Sequence, residues 1–247
     1  MIPHPNCLSG IKVYAKLQIP QQIRSNDRFP RYAFLYLPIM KRLSHLFLQN
    51  QKWAADILKS TPDFFQVLSR QQAPEYLWIG CADSRVPANE IVNLLPGELF
   101  VHRNVANLVK HTDMNCLSVL QYAIHVLKVK HVIVCGHYGC GGVRASIEDK
   151  PHGLVDNWIR SIRDIYIKNQ DLFSPLNSLD EKVDKLCELN VVGQVYNVCQ
   201  TTVVQEAWKR GQELAVHGWI YSLSNGLLKD LEVCISTNEE INKLEFK

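Results

Sequence analysis

The sequence predicts an α/β fold in which a mostly parallel sheet of four to five strands is flanked by helices. Short, continuously apolar segments alternate along the chain with longer segments in which apolar residues recur at helical spacing. Capping residues and glycines mark several of the expected helix ends. Strands that alternate with helices in this way are typical of parallel sheets that are covered on both faces.

The first elements lead to a strand end that carries a reactive side chain. A helical pattern follows Met40, and residues 61–62, Thr-Pro, supply a cap and a first-turn proline for the start of another helix. The apolar residues 76–80 predict a buried strand that delivers Cys81 at its carboxyl end. Residues 98–103 predict the second strand.

The middle of the chain repeats the pattern. Residues 117–127 carry leucine and isoleucine at helical spacing, and either Thr112 or Asp113 can cap that helix. Residues 130–136 then predict a third buried strand, which delivers His137 as the first strand delivers its cysteine.

The last third predicts one long helix between the third and fourth strands. Residues 178–181, Ser-Leu-Asp-Glu, form a capping box for a helix that continues toward Lys209 and is ended by Gly211. Residues 213–221 predict the fourth strand, and residues 231–235 predict a further strand at the edge of the sheet.

Composition and charge favour an intracellular enzyme that acts on a small molecule. The formal net charge is +3, and residues 1–40 contribute +4, which leaves −1 on the other 207 residues. Nucleic-acid binding needs clustered Lys and Arg, so the sequence predicts no nucleic-acid partner. Eight cysteines in 247 residues are too sparse for a disulfide scaffold, which favours a reducing, cytoplasmic setting. No apolar run approaches the roughly 20 residues that span a bilayer, so we expect no membrane partner.

Residues 1–40 are predicted to be a poorly ordered N-terminal extension. They hold five of the 11 prolines and a single acidic residue, and they show no sustained periodicity. Because Met40 stands directly before a helical pattern, one hypothesis is that the extension results from an upstream start site. A transit peptide is the alternative. Residues 41–247 are predicted to form a single domain.

Cys81, His137 and Cys140 form the candidate metal site. Cys81 and His137 each follow a predicted strand end, which is where open α/β sheets form their sites. Gly139 allows the chain to turn so that His137 and Cys140 face one ion. Two thiolates and one imidazole favour zinc over magnesium or calcium. Three protein ligands leave a fourth position for water or substrate, as catalytic zinc sites do.

Asp83 and Arg85 offer a second function beside these ligands. An aspartate two residues after a ligand can reach the metal itself or accept a hydrogen bond from a metal-bound hydroxide. If the Arg85 guanidinium forks onto Asp83, the carboxylate stays ionised and off the metal. If that pair breaks, Asp83 becomes the fourth ligand in an inactive state. The simpler alternative is a salt bridge at a strand end.

Three blocks of this sequence resemble the signature blocks of the β-class carbonic anhydrases, and bacterial members in particular. The blocks are Cys-Ala-Asp-Ser-Arg-Val-Pro at 81–87, the segment 96–107, and Cys-Gly-His-Tyr-Gly-Cys-Gly-Gly at 135–142. The resemblance covers roughly residues 41–236. It implies the β-carbonic anhydrase fold, one zinc ion per chain on the three candidate ligands, and a catalytic role for the Asp–Arg pair.

The activity that the resemblance implies is the reversible hydration of carbon dioxide to bicarbonate and a proton by a zinc-bound hydroxide. Zinc on neutral ligands lowers the pKa of its water to about 7. Because two thiolates donate negative charge, we expect this water to be less acidic and the activity to favour mildly alkaline conditions.

The resemblance also implies regulation and assembly. Trp78, Arg103 and Tyr221 match positions that form a non-catalytic bicarbonate pocket in one bicarbonate-regulated bacterial subgroup. An arginine, an indole N–H and a phenol can hold a small oxyanion, although the two aromatic residues can instead simply pack the core. A homodimer or homotetramer is the implied assembly.

The sequence leaves two other functions open. In the first, Asp83 closes a four-ligand zinc site that only holds the fold together, and the protein is not an enzyme. Arg85 argues against it, because a structural site has no need for a cation that draws its fourth ligand away. In the second, the same ligands hydrolyse carbon disulfide or carbonyl sulfide, which substrate access would decide.

Overall fold

The computed structural model describes residues 43–70, 72–148 and 150–241 of the chain. The chain divides into two compact units, residues 1–62 and residues 63–247. The described element of the first unit is helix α1 (Ser44–Ser60), in agreement with the helical pattern after Met40. The predicted extension 1–40 lies outside the described residues, so its disorder and the boundary at residue 41 stay predictions.

The second unit contains a five-stranded sheet with the order β2-β1-β3-β4-β5. Its strands are β1 (Tyr76–Cys81), β2 (Leu99–Asn104), β3 (His131–His137), β4 (Ala215–Tyr221) and β5 (Leu228–Ile235). The first four strands pair in parallel, and β5 is antiparallel to β4 at the edge. The predicted mostly parallel sheet is confirmed, because every predicted strand is present at its expected place.

Helices flank this sheet. In chain order they are α2 (Phe64–Leu68), α3 (Ala88–Ile91), α4 (Met114–Gln121), α5 (Gly141–Ile147), α6 (Val155–Lys168), α7 (Gln170–Phe173), α8 (Leu179–Cys199), α9 (Thr202–Lys209) and α10 (Asn238–Ile241). A 3₁₀ turn (Val105–Asn107) follows β2. Helix α2 begins slightly after the predicted start at residues 61–62.

The helix predicted from the apolar spacing over residues 117–127 is present, and it begins at Met114, directly after one of its two candidate caps. Asp113, and not Thr112, is its cap, because the Asp113 carboxylate accepts a hydrogen bond from the backbone N–H of Asn115. The final residues, Tyr122–Leu127, continue α4 as a π-helix. Periodicity therefore located this helix, and the structure shows which of the two candidate residues caps it.

The capping box that begins α8 is confirmed, but the predicted length of that helix is wrong. The Ser178 hydroxyl accepts a hydrogen bond from the Glu181 backbone N–H, and the Glu181 carboxylate accepts one from the Ser178 N–H. The helix ends at Cys199 instead of continuing to Lys209. Thr201 has an extended backbone there, and its hydroxyl accepts from the Val204 N–H to cap α9. A threonine that caps in this way competes with a continuous helix.

Helix α8 approaches the sheet closely over β3 and β4. A Cβ atom on Gly136 would lie 2.6 Å from Val191 Cγ2, and one on Gly218 would lie 3.3 Å from Val191 Cγ1. Real Cβ atoms do not approach other atoms as closely as the first of these distances, so Gly136 has to lack a side chain. This close packing fixes the end of β3 beneath the middle of α8.

The opposite face of the sheet carries a smaller buried cluster. Its buried members are four strand residues and one residue of α3: Trp78, Leu99, Ile133 and Cys135 on the strands, and Ala88 on the helix. Trp219 and Tyr221 on β4 pack partly buried against them. At β1 and β3 both faces of the sheet are therefore buried, as the continuously apolar sequences of these two strands predict.

Candidate metal centre

The three predicted metal ligands meet at the carboxyl edge of the sheet. Cys81 and His137 are the last residues of β1 and β3, which are parallel neighbours, and Cys140 directly precedes α5. The Sγ atoms of Cys81 and Cys140 are 3.9 Å apart, and the three ligand atoms all lie within 4.8 Å of one another. All three side chains are buried. The structure thus brings together the residues that the sequence predicts as ligands.

The imidazole of His137 is oriented as a ligand. Its Nδ1 lies 3.1 Å from the backbone carbonyl oxygen of Tyr138, which can only accept, so Nδ1 carries the proton. The other nitrogen, Nε2, is buried and has no hydrogen-bond partner among the described residues. A buried lone pair of this kind is costly unless something binds it. Ligating histidines commonly have their other nitrogen held by a carbonyl in the same way.

The two cysteine sulfurs are chemically unequal in the metal-free chain. The hydrogen bond from the Cys140 thiol lowers the pKa of Cys81, whereas that same bond, together with burial, raises the pKa of Cys140. One sulfur is therefore a thiolate, the form that binds metals, and a metal ion would displace the remaining proton. In contrast, burial raises the pKa of the Cys187 and Cys199 thiols to about 12, so these stay protonated.

The predicted fork between Arg85 and Asp83 is formed. Arg85 Nε donates to Asp83 Oδ1 over 2.9 Å, and a terminal guanidinium nitrogen donates to Oδ2 over 2.7 Å. These hydrogen bonds hold the pKa of the Asp83 carboxyl far below its usual range, so it is ionised. Asp83 Oδ2 is 3.7 Å from His137 Nε2, which places the carboxylate at the edge of the ligand set.

The three residues predicted to bind bicarbonate do not form a single hydrogen-bonded group within the described part of the chain. Trp78 is buried and packs edge-on against Trp219, with ring centroids 6.5 Å apart, and Tyr221 packs on the same apolar cluster. Arg103 instead donates to backbone carbonyls, from Nε to Cys81 over 2.8 Å and from a terminal nitrogen to Asp83 over 2.5 Å. The pocket stays a prediction.

A second group of metal-ligand side chains, which sequence reasoning missed, consists of His102, Asp113 and Cys116. Their ligand atoms also lie within 4.8 Å of one another. The Asn104 amide, held at both ends by the backbone of Leu108, can only donate to the His102 Nε2 that lies 3.3 Å away. That imidazole lone pair is thus occupied, and burial raises the pKa of the Cys116 thiol to about 12. The donor atoms of the first group are therefore the better candidates for holding a metal.

Two acidic residues of α8 were also missed. Asp184 accepts a hydrogen bond from the backbone N–H of Gly139, and Glu188 accepts one from the hydroxyl of Tyr138 and another from Lys229. The sequence signal for them was their spacing of four residues, which puts both on one side of the helix. That spacing is also typical of a solvated helix face, so it could not have identified their partners.

Comparisons with known proteins agree on one family. A family model described as carbonic anhydrase matches residues 76–228. A carbonic anhydrase from Emericella nidulans is 45% identical over 188 residues, which cover 76% of this chain and 82% of that protein. The solved β-carbonic anhydrase from Coccomyxa, in complex with acetazolamide, superposes with a TM-score of 0.80 and 43% identity, covering 84% of this chain and 94% of that one. A tetrameric β-carbonic anhydrase from Sordaria macrospora superposes with a TM-score of 0.75 and 34% identity, covering 78% of this chain and 98% of that one.

Proposed function

The chain belongs to the β class of the carbonic anhydrase family, whose members are lyases of the carbonate dehydratase type, and on this premise we propose zinc-dependent, reversible hydration of carbon dioxide. The products are bicarbonate and a proton. The observation that carries the proposal is a buried set of two cysteine sulfurs and one unpartnered imidazole nitrogen beside an ionised aspartate.

Cys81, His137 and Cys140 fit zinc and would hold it. Their donor set contains a thiolate, a thiol that binding would deprotonate, and an imidazole nitrogen whose lone pair faces the sulfurs. When bound, zinc supplies Lewis-acid chemistry that makes water a nucleophile near neutral pH. Three protein ligands leave room for water, which a closed structural site would not.

Asp83 and Arg85 perform the remaining chemistry in this proposal. The ionised carboxylate can accept a hydrogen bond from the reacting water and so orient it toward carbon dioxide. Arg85 keeps both carboxylate oxygens engaged and thereby keeps Asp83 from becoming a fourth ligand. Rupture of this pair would free Asp83 to close the site. We propose that the pair acts as this gate, and the formed fork supports the open state.

We further propose that bicarbonate regulates the gate through Trp78, Arg103 and Tyr221, as the predicted subgroup implies. Arg103 supports this idea, because its guanidinium holds the carbonyl groups of Cys81 and Asp83. An oxyanion that drew Arg103 away would loosen the backbone that carries one ligand and the gate. The expected result is inhibition by bicarbonate that Trp78→Phe and Tyr221→Phe weaken. Unchanged inhibition in both variants contradicts the pocket.

Assembly and location are proposals as well. The protein from Sordaria macrospora is described as tetrameric, and we propose that this chain forms a homodimer or homotetramer. Analytical ultracentrifugation would give the subunit number. Among the described residues, none of the helices combines the length and apolar character needed to cross a membrane. The cytoplasmic location stays a prediction, to be checked by fractionation of the native cell.

The deciding experiment is stopped-flow hydration of carbon dioxide across the pH range, with the zinc content measured on the same sample. We expect about one zinc per chain and activity that rises toward alkaline pH. Zinc-loaded protein that is inactive even at alkaline pH would exclude the proposed reaction. Hydrolysis of carbon disulfide or carbonyl sulfide by that protein would indicate the related hydrolase, and inactivity on all three substrates would indicate a structural zinc site.

A further inference from the structure

The short turn between two of the ligands is anchored from outside the metal centre. Tyr138 and Gly139 connect His137 to Cys140. The Gly139 N–H donates to Asp184 Oδ1 over 2.9 Å, and the Tyr138 hydroxyl donates to Glu188 Oε1 over 2.6 Å. Backbone and side chain of the turn are therefore each held by a different carboxylate.

This anchoring reaches the ligand atoms through the backbone. The Tyr138 carbonyl accepts the hydrogen bond from His137 Nδ1 and so sets the direction in which Nε2 points. Gly139 has a φ of +64°, a conformation that permits the chain to reverse before Cys140. Any movement of the turn would change both the imidazole direction and the position of the second sulfur.

Helix α8 is a rigid support for the two carboxylates. Asp184 and Glu188 lie four residues apart and thus on the same side of the helix. The helix begins at a capping box, is largely buried along its length, and packs on β3 through the contact between Val191 and Gly136. The strand that ends in His137 and the helix that holds the turn are therefore fixed to each other.

Glu188 also forms an ion pair. Lys229 on β5 donates to the same carboxylate oxygen over 2.8 Å. Burial acts to raise the pKa of Glu188, but the hydrogen bonds from Lys229 and Tyr138 lower it overall, so the carboxylate is ionised. An ionised acceptor makes a stronger hydrogen bond to the tyrosine hydroxyl than a neutral one would.

We propose that Asp184 and Glu188 are positioning residues that hold the 138–139 turn, so that His137 and Cys140 present their ligand atoms to zinc without rearrangement. The inference rests on the proposed zinc function of these ligands. It assigns to α8 a role in metal retention in addition to its role in packing the sheet.

The test measures metal retention and not turnover. Asp184→Ala and Glu188→Ala remove the acceptors, whereas Asp184→Asn and Glu188→Gln each keep one acceptor oxygen. Zinc-loaded proteins are mixed with excess chelator, and the rate of zinc release is followed. We expect the alanine variants to release zinc about 10-fold faster than the wild type, with the amide variants in between. Asp164→Ala, an exposed aspartate on α6, is the matched control.

Two further measurements separate positioning from general destabilisation. Cobalt-substituted protein reports ligand geometry through its visible absorption, and we expect the spectrum to shift in the alanine variants while their melting temperatures change little. In a Tyr138→Phe background, Glu188→Ala should have a much smaller effect, because Glu188 acts through that hydroxyl.

The proposal fails if the variants release zinc at the rate of Asp164→Ala, or if the tyrosine substitution leaves the effect of Glu188→Ala unchanged. If an alanine variant does not fold, the amide variants carry the same comparison. Wild-type protein that binds zinc but does not hydrate carbon dioxide would overturn the proposed function and leave this inference standing, since its readout is the metal.

Discussion

Strand β3 has a histidine at each end, and the two differ in the contacts that their ring nitrogens make. His131 opens the strand, where its Nδ1 lies 3.1 Å from His217 Nε2 and its ring stacks on Tyr76. His137 closes the strand with a buried Nε2 that has no hydrogen-bond partner among the described residues. The first imidazole has a hydrogen-bond contact and a ring contact with its neighbours, whereas the Nε2 lone pair of the second can bind an ion.

Strand direction explains this difference better than residue type does. At the carboxyl ends of parallel strands the chain leaves the sheet, and the side chains that follow turn toward one another. There His137 meets Cys81 from β1 and Cys140 from the following turn. At the other end, His131 meets another strand residue that offers a complementary ring nitrogen. The same side chain is thus a structural residue or a candidate ligand according to the edge of the sheet on which it lies.

Loss of a cysteine of the candidate metal site should have the largest effect. We expect Cys140→Ser to lower the zinc content from about one per chain to nearly none, because a serine hydroxyl is a poor zinc ligand, and to abolish hydration. Cys234→Ser, which changes an exposed cysteine on β5, should retain both zinc and activity. Zinc content is measured by atomic absorption and hydration by stopped flow. Full zinc occupancy in Cys140→Ser would show that the ligand assignment is wrong.

Removal of the gate charge should separate metal binding from turnover. Asp83→Asn keeps the shape of the side chain but cannot accept hydrogen bonds as an anion, so we expect zinc to be retained and turnover to fall about 100-fold. Asp180→Asn is the control. It disrupts the ion pair between Asp180, which is exposed, and Arg144, and it should leave turnover unchanged. Equal turnover in both variants would reduce the Asp83–Arg85 pair to a simple salt bridge.

The positions of the strands along the chain and the candidate ligand set were predictable because both depend on short-range signals. Continuous apolar runs located β1 and β3, and Cys81 and His137 follow directly from where those runs end. The break at Thr201 was not predictable, since the residue also occurs inside helices and its capping hydrogen bond depends on a local backbone choice. The Glu188 contact with Tyr138 joins residues 50 positions apart, and no pattern in the sequence specifies it.

The close contact between β3 and α8 offers a test of how firmly the carboxyl end of the strand is fixed. Gly136→Ala would place a Cβ atom 2.6 Å from Val191 Cγ2, and overpacking of this kind costs about 1–3 kcal/mol. We expect Gly136→Ala to lower the free energy of unfolding, measured with urea, by that amount. The double variant Gly136→Ala, Val191→Ala should recover part of the loss, because the shortened side chain at position 191 makes room for the added Cβ atom. Gly141→Ala, which has open space around the added atom, is the control. A Gly136→Ala protein as stable as the control would mean that α8 does not press on the strand.

The paired end of the strand should show a small, pH-dependent effect. Burial first, and then the charge of His131, lower the pKa of His217 from its ordinary value of 6.5, so the folded protein resists protonation of this ring. The stability that the neutral ring contributes is thus present above pH 6.5 and is lost as the pH falls below it. We expect the free energy of unfolding to fall less steeply on acidification in His217→Gln than in the wild type, whereas His45→Gln, at an exposed position on α1, should follow the wild type. Identical slopes for His217→Gln and the wild type would mean that the His131–His217 pair accepts a proton as readily as solvent-exposed histidine does.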